Sequence, residues 1–480
     1  MHFRSLVRNI GPGIGFALLL FALGSCSLLS HRKDKDSISI PISLDAPSHR
    51  FLGMGANVPI TFYNRRTRPL QVLNDLRISY IRVKRTEDNW NDIAALRAAT
   101  FRLKIKWIYS LDQIPLTYLN STGRLVDTEG FANWWAEEVD ELNYQEVPAD
   151  LIELIDNPEL LNSGTPVLNS DGYNELLHAT RRELDLRDYQ NVGIIGPGLS
   201  TLSTEDSLET WYMDLDQPAF EMLKFWSGDL NADTASGIHL PEQLANFRSY
   251  LRRIESLKPI FITSYANRIN QYGPFMYPDP NRYDILGNRP DYERYYYSAS
   301  FSMPYALQVY TNTLNLLSQP EVIPFVHQLF DAPDDVKFKK RSWGLLDLNG
   351  TEKPVYRLLS ALFSRVPKDA EVVPIDFPHA LSLSGLVFYG RQKVILTICN
   401  QTAMNMDLRL VLKGATGSLS ITEAMALLSP EINHPDLGRM DDVTMEPLEL
   451  KLKRSSGDNS HSLPVTMRSN SVFIAELEMK

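Results

Sequence analysis

The feature that most limits what this chain can become is an alternation. From about residue 50 to 365, short apolar runs suited to buried strands recur between stretches of helical periodicity. The runs are Phe51 to Ala56, Ile78 to Val83, Ile105 to Leu111, Leu151 to Ile155, Val192 to Ile195, Ala235 to Leu240, Pro259 to Tyr265 and Val322 to Phe330. Between them, Tyr173, Leu176, Leu177 and Leu184 share one helical face, as do Leu244, Phe247, Leu251, Ile254 and Leu257. Eight strand-helix units in a segment of this length predict an α/β fold, a (β/α)₈ TIM barrel over residues 49–365. A doubly wound open sheet is the alternative, but no glycine-rich phosphate loop follows the first run.

The pattern changes near Val366-Pro367-Lys368. Beyond it, Leu386 to Tyr389, Lys393 to Cys399, Asp407 to Leu412 and Ser471 to Leu477 are short β-rich segments separated by polar turns, which predicts a smaller antiparallel β-sandwich over 366–480. No repeat has a solenoid or propeller period. The chain is 44% hydrophobic and 22% charged, enough apolar material for both domains. Its net charge is −10 with no basic block in the globular part, so nucleic acid is not expected as a partner and neutral or cationic ligands suit it better.

At the N-terminus, a basic start (His2, Arg4, Arg8) runs into an apolar stretch from Ile10 to Leu23, too short for a bilayer span and suited to a secretory signal. It closes on Leu23-Gly24-Ser25-Cys26, which resembles the bacterial lipobox. The resemblance implies a signal peptide over 1–26, lipidation at Cys26 and an exported protein held to a membrane by its lipid. Ser27 resembles an outer-membrane sorting residue. Residues 27–48, with the mixed-charge run Ser30 to Ser37, are expected to be a flexible tether. With Cys26 lipidated, the one remaining cysteine, Cys399, has no disulfide partner and reads as a small buried hydrophobe. Neither a metal nor another cofactor is expected.

Functional side chains of a barrel gather where the strands end at their C-terminal side. In this chain those positions are polar: Asn57, Arg82, Arg85, Glu87, Asp88, Asp112, Asp156, Asn157, His239, Ser264 and Asp331. Several ordered segments resemble the clan A glycoside hydrolases, and family 39 most. Glu153-Leu154-Ile155-Asp156-Asn157-Pro158 is similar to the clan's strand-four motif, and Phe261-Ile262-Thr263-Ser264-Tyr265 to its strand seven. Trp343-Gly344-Leu345-Leu346-Asp347 with Gly350, Lys353, Pro354 and Tyr356 resembles the approach to the last helix.

The resemblance implies a saccharide cleft, with an acid/base carboxyl on strand four and a nucleophilic carboxyl on strand seven. Matched by position, those places hold Asn157 and Ser264. Asn157 has no acidic proton to give, and no nearby base activates Ser264. The expected function is therefore polysaccharide or oligosaccharide binding by a degenerate hydrolase, with an active enzyme and a structural docking protein as the alternatives. Displaced carboxylates for the active alternative are Asp156, Asp331 and Glu87. Asp156 sits one residue from the expected place, so strand alternation points it away. Glu153 shares the parity of Asn157 but lies deeper. Expected ligand contacts are Asn57, Arg82, Trp107, His239, Tyr265 and Tyr272, the last in a tyrosine-rich insertion that could also meet protein partners of the envelope.

Overall fold

The computed structural model describes residues 37–45, 48–59, 69–85, 90–111, 113–156, 158, 167–199, 211, 223–232, 249, 252, 259–267, 302–326, 328–331, 344–347, 350–378, 381–414, 417–429, 442–454 and 460–480. Two strands precede the barrel, β1 (Ile38–Ser43) and β2 (His49–Arg50). Eight parallel strands then close on themselves: β3 (Met54–Asn57), β4 (Ile78–Arg85), β5 (Lys106–Leu111), β6 (Leu151–Glu153), β7 (Gly193–Ile195), β8 (Leu223–Ala232), β9 (Ile260–Asn267) and β10 (Val322–Val326), the last pairing with both β9 and β3. The described helices around them are α1 (Pro69–Asp75), α2 (Trp90–Thr100), α3 (Thr128–Tyr144), α4 (Ser170–Leu186), α5 (Met303–Leu317) and α6 (Pro354–Phe363). The TIM-barrel expectation holds.

Two strands differ from the sequence reading. The sixth barrel strand is Leu223–Ala232 rather than Ala235 to Leu240, which lies outside the described residues. Gly228 and Asp229 interrupt its apolar character, and hydrophobic pattern alone passes over such a segment. The expected eighth strand splits. Val322–Val326 stays in the barrel, while β11 (Gln328–Phe330) leaves it to pair with β12 (Gly344–Leu346).

Period-two alternation sorts each barrel strand into an inner and an outer set. Inside, Tyr80, Ile108, Leu151, Ile195, Phe261, Ile323 and Phe325 form one buried cluster. Gly55 belongs to this layer because a Cβ there would strike the Phe325 ring. Outside, Ile81, Val83, Trp107, Tyr109, Ile152, Ile194, Ile260 and Ile262 pack into the helix layer. One α4 face buries Tyr173, Leu176, Leu177 and Leu184, as its periodicity requires.

Beyond the barrel lie β13 (Glu371–Pro374), β14 (Leu383–Tyr389), β15 (Lys393–Asn400), β16 (Met406–Lys413), β17 (Leu419–Leu428), β18 (Thr444–Pro447), β19 (Lys453–Arg454), β20 (His461–Met467) and β21 (Ser471–Met479). They form two sheets, in the orders β1-β16-β20-β19 and β18-β17-β21-β15-β14-β13-β2. The pairing is antiparallel except where β1 runs parallel to β16. The N-terminal segment thus supplies a strand to each sheet, and within the stretch expected as a tether to residue 48, Ile38–Ser43 is a strand. Its cause is plain in the residues: Ile38, Ile40 and Ile42 alternate with small or polar ones, and Ile40 and Ile42 are buried in the sandwich core. Pro41 is tolerated because β1 is an edge strand.

One apolar cluster runs from the barrel into the facing sheet of the sandwich, whose interior forms a second cluster. Phe51 stacks on Phe363 and meets Phe388 edge-on, with ring centroids 5.9 and 5.5 Å apart. From α5, Tyr310 Oη and Thr397 Oγ1 lie 2.7 Å apart, and Thr311 Oγ1 donates to Cys399 Sγ at 3.3 Å. Cys399 is fully buried, and burial pushes its thiol up to about 12, so it packs rather than reacts.

Candidate functional site at the barrel mouth

One layer above the apolar plug, the inward positions turn polar. Two residues beyond Gly55, Tyr80, Ile108 and Leu151 stand Asn57, Arg82, Ser110 and Glu153, and these converge. Arg82 Nε donates to Glu153 Oε2 at 2.7 Å, Nη1 to Asn57 Oδ1 at 3.2 Å and Nη2 to Ser110 Oγ at 3.3 Å. Its Nη2 also lies 2.5 Å from Glu153 Oε2 and 3.0 Å from Asp156 Oδ2. Lys84 Nζ is 3.0 Å from the same Asp156 oxygen. Asn57 Nδ2 donates to the carbonyls of Thr263 at 2.7 Å and Val326 at 3.3 Å, tying the first strand to the last two.

Asp156 departs from the sequence argument. Strict alternation from Glu153 turns it away, yet it reaches the same guanidinium. The reason is a break after β6: Leu154 and Ile155, consecutive in sequence, both join the outer core, so the next residue turns inward. Trp135 Nε1 donates to the Leu154 carbonyl at 3.2 Å and holds that break. A backbone bridge from Asp156 to Gly198 continues the line of the sheet.

Electrostatics separate the two carboxyls. Burial pushes Glu153 above the usual carboxylate range; Arg82 opposes this, and the charge of Asp156 reinforces it. Burial also acts to raise Asp156, but Arg82 and Lys84 outweigh it and hold that carboxyl at about 2. For Arg82, burial disfavours the charged form, and the two carboxylates overcome this and raise its pKa. The side chains of Arg82 and Glu153 are 6% and 0% exposed, against 16% for Asp156 and 42% for Lys84. The part of the set open to solvent is therefore an ionised aspartate and a lysine.

Beside Glu153, the buried Tyr173 hydroxyl has no hydrogen-bond partner among the described residues. Burial and the Glu153 charge both raise its pKa. A Cβ at Gly196, where φ is +141°, would collide with this hydroxyl, so glycine is required there for Tyr173 to reach across.

Other expected site residues lie elsewhere. Trp107 is fully buried in the outer layer, under the Arg97 guanidinium at 5.3 Å, because its neighbour Ile108 takes the inward place. Tyr265 would face inward by alternation from Phe261, but a register shift in β9 beyond Ile262 re-aims it. Its hydroxyl meets Thr313 of α5 at 2.7 Å instead. Asp331 is not a mouth carboxylate: it is fully buried, 2.6 Å from the equally buried Lys353 Nζ, and Oδ1 accepts from the Gly344 amide at 2.7 Å. The backbone of Ser264 pairs with Asp229 in the sheet. Asn157, Glu87, His239, Tyr272 and Cys26 lie outside the described residues.

Sequence reasoning placed Asn57 and Arg82 at the mouth but missed Ser110, Lys84 and the approach of Tyr173. Ser110 and Lys84 were legible by parity, each two residues beyond an inward position. Tyr173 was not, since it comes from the helix layer.

No family model and no curated protein matches the sequence. Solved structures do match in fold. The glycoside hydrolase family 30 subfamily 8 xylanase of Clostridium acetobutylicum aligns with a TM-score of 0.58 at 10% identity, over 92% of this chain and 99% of that one. The family 39 enzyme of Xanthomonas axonopodis pv. citri aligns with a TM-score of 0.56 at 13% identity, over 94% and 100%. A conserved exported protein of Bacteroides fragilis aligns with a TM-score of 0.60 at 10% identity, over 91% and 100%. The barrel with its C-terminal antiparallel sheets is therefore the architecture of family 30 and family 39 glycoside hydrolases.

Proposed function

We propose that this protein binds a polysaccharide at its barrel mouth without hydrolysing it. One observation carries the reading: no described carboxyl at the mouth is both accessible and able to carry a proton. Asp156 is partly open to solvent, but Arg82 and Lys84 keep it ionised at neutral pH. Glu153 is the carboxyl that holds protons more tightly, and it is sealed beneath Arg82. General acid catalysis is typically worth about 10²–10⁴-fold and needs a donor within hydrogen-bond reach of the leaving oxygen. The degenerate strand-four and strand-seven positions, Asn157 and Ser264, support the same conclusion from the sequence.

Arg82 adds a second argument. All three of its nitrogens are engaged by Glu153, Asn57, Ser110 and Asp156, so its fork is bound to strands one, three and four. An ionised carboxylate beside an ammonium suits the hydroxyls of a sugar, accepting from one and donating to another. In this reading the chain is exported and held to the envelope through Cys26, within reach of such a polymer.

The test is to incubate the purified protein with aryl glycosides and with envelope polysaccharides, measuring both release of reducing ends and retention on the polymer. Retention without release is expected, and it should weaken in Asp156→Ala. Turnover that disappears with Asp156→Ala would instead establish a displaced catalytic carboxylate. Cys26→Ala should abolish incorporation of labelled lipid.

A further inference from the structure

Among the described residues, the four charges that meet at the mouth are matched in number, two cations and two carboxylates, but not in arrangement. Asp156 touches both Arg82 and Lys84, and Glu153 lies against Arg82 below them. Arg82 offers one nitrogen, Nη2, to both carboxylates. Glu153 is also the one wholly removed from water. Among the described residues it faces Arg82 from β4, Ser110 from β5, Asp156 beyond the end of its own strand, and from α4 the Tyr173 hydroxyl, which has no hydrogen-bond partner among them. When the network takes up one proton, the carboxyl wholly removed from water accepts it, and the one partly open to solvent and held by both Arg82 and Lys84 stays ionised.

We propose that Glu153 is a proton-binding switch beneath the mouth: protonation adds one positive charge to the site while Asp156 stays ionised, and turns the mouth toward anionic groups of a glycan. The glycan part rests on the function proposed above, and the titration does not. With Glu153 neutral, Nη2 of Arg82 has Asp156 as its sole charged partner among these four residues. The gain is long-range as well as local, because a charge added under a low-dielectric floor is screened little on the side that faces the ligand. The direction is fixed by the sign of the added charge: acidification strengthens binding of a sulfated or carboxylated glycan relative to its neutral counterpart. Tyr173 is a positioning residue in this scheme, a hydroxyl beside the carboxyl that favours its ionised form when it donates and its protonated form when it accepts.

The experiment uses the whole protein, with carboxyl carbons labelled, and follows Glu153 by NMR across neutral to acid pH. The signal is assigned by its loss in Glu153→Gln, which keeps the shape of the side chain. A midpoint above that of an ordinary glutamate is expected, and in Asp156→Asn it should move down, since the neighbouring negative charge is gone. Binding of dextran sulfate, with unmodified dextran as the neutral arm, is measured at neutral and mildly acid pH. Wild type should gain about tenfold in dextran sulfate affinity on acidification, and Glu153→Gln should bind equally at both. A Glu153 midpoint at or below the ordinary value overturns the proposal. So does a wild type whose dextran sulfate binding ignores pH, or a Glu153→Gln variant that keeps the wild-type dependence. Failure of the protein to retain any polysaccharide at neutral pH would sink the function proposed above, and the NMR midpoint would still decide this one.

Discussion

Glu153 ends β6 and Asp156 follows three residues later, where continued alternation would send the two to opposite faces, yet both reach Nη2 of Arg82. The convergence needs the break at Leu154 and Ile155, and it gives one buried arginine two carboxylates to hold. Arg82 favours the charged form of both carboxyls, for Asp156 together with Lys84.

Arg82→Met should accordingly be among the most damaging single changes in the barrel. It leaves Glu153 buried without its cation and cuts the link from Asn57, so a loss of roughly 3–5 kcal/mol is expected. Denaturant unfolding would measure it. A loss below about 1 kcal/mol would mean that the pair contributes no more than an exposed salt bridge.

How much of this was legible in the residues can be judged from the same strand. The barrel, its polar mouth, and the presence of Asn57 and Arg82 there follow from hydrophobic period and strand ends, because alternation is imposed by backbone geometry. The place of Asp156 does not follow, because a strand break depends on a tertiary contact, the Trp135 indole on the Leu154 carbonyl. Tyr265 fails for a similar reason, since a bulge reverses parity and leaves no mark in composition. Asp331 shows the third limit: its partner Lys353 lies on the far side of a segment of more than twenty residues, and nothing local pairs them.

The ionisation of Asp156 makes a signed prediction about acid stability. Its folded value of about 2 lies below the ordinary 3.8, so the folded state binds the proton less tightly than the unfolded chain does. The stability it contributes is fully present above 3.8 and is lost as pH falls toward 2, and the difference corresponds to roughly 2 kcal/mol. Asp156→Asn should therefore be less stable than wild type at neutral pH by about that amount, with the gap closing across this window. Chemical denaturation at a series of pH values reads it. A gap that stays constant down to the lower end would show that the loss is packing rather than charge.

The buried pair of Asp331 and Lys353 should behave differently from a surface salt bridge. Each partner is fully buried, and burial lowers the lysine pKa while Asp331 resists that shift. Lys353→Met alone strands a carboxylate in the core, at a cost of about 3–5 kcal/mol. Replacing both, as Asp331→Leu with Lys353→Met, should recover part of that loss, though the Gly344 amide also loses its acceptor. Thermal unfolding of the two single variants and the double variant gives the coupling. Additive losses would remove the pair as a unit.

The N-terminal strand offers a test of how far the globular part extends. Ile40 and Ile42 are 1% and 2% exposed in the sandwich core. A chain beginning after Ser43 should lose cooperative stability of the sandwich and bind a hydrophobic dye, whereas one beginning at Ser37 should keep a single cooperative transition and leave the dye unbound. Equal unfolding profiles for the two would show that β1 adds nothing to the sheet.

Trp135 acts on the mouth from outside it, through the Leu154 carbonyl. Its ring packs edge-on against Trp134 at 5.4 Å and is buried in the helix layer, so Trp135→Phe keeps most of the apolar contact. The substitution removes the Nε1 donor and leaves the Leu154 carbonyl without that bond, at a cost of about 1–3 kcal/mol. The more telling effect is on Asp156, two residues further on. Once the break is no longer pinned, Asp156 should spend less time on Arg82 and Lys84, and its pKa should rise from about 2 toward 3.8. Carboxyl NMR of Asp156 in wild type and Trp135→Phe compares the two directly. A loss of stability with an unmoved Asp156 titration would show that Trp135 only fills space; both changes together would show that it sets the charge at the mouth.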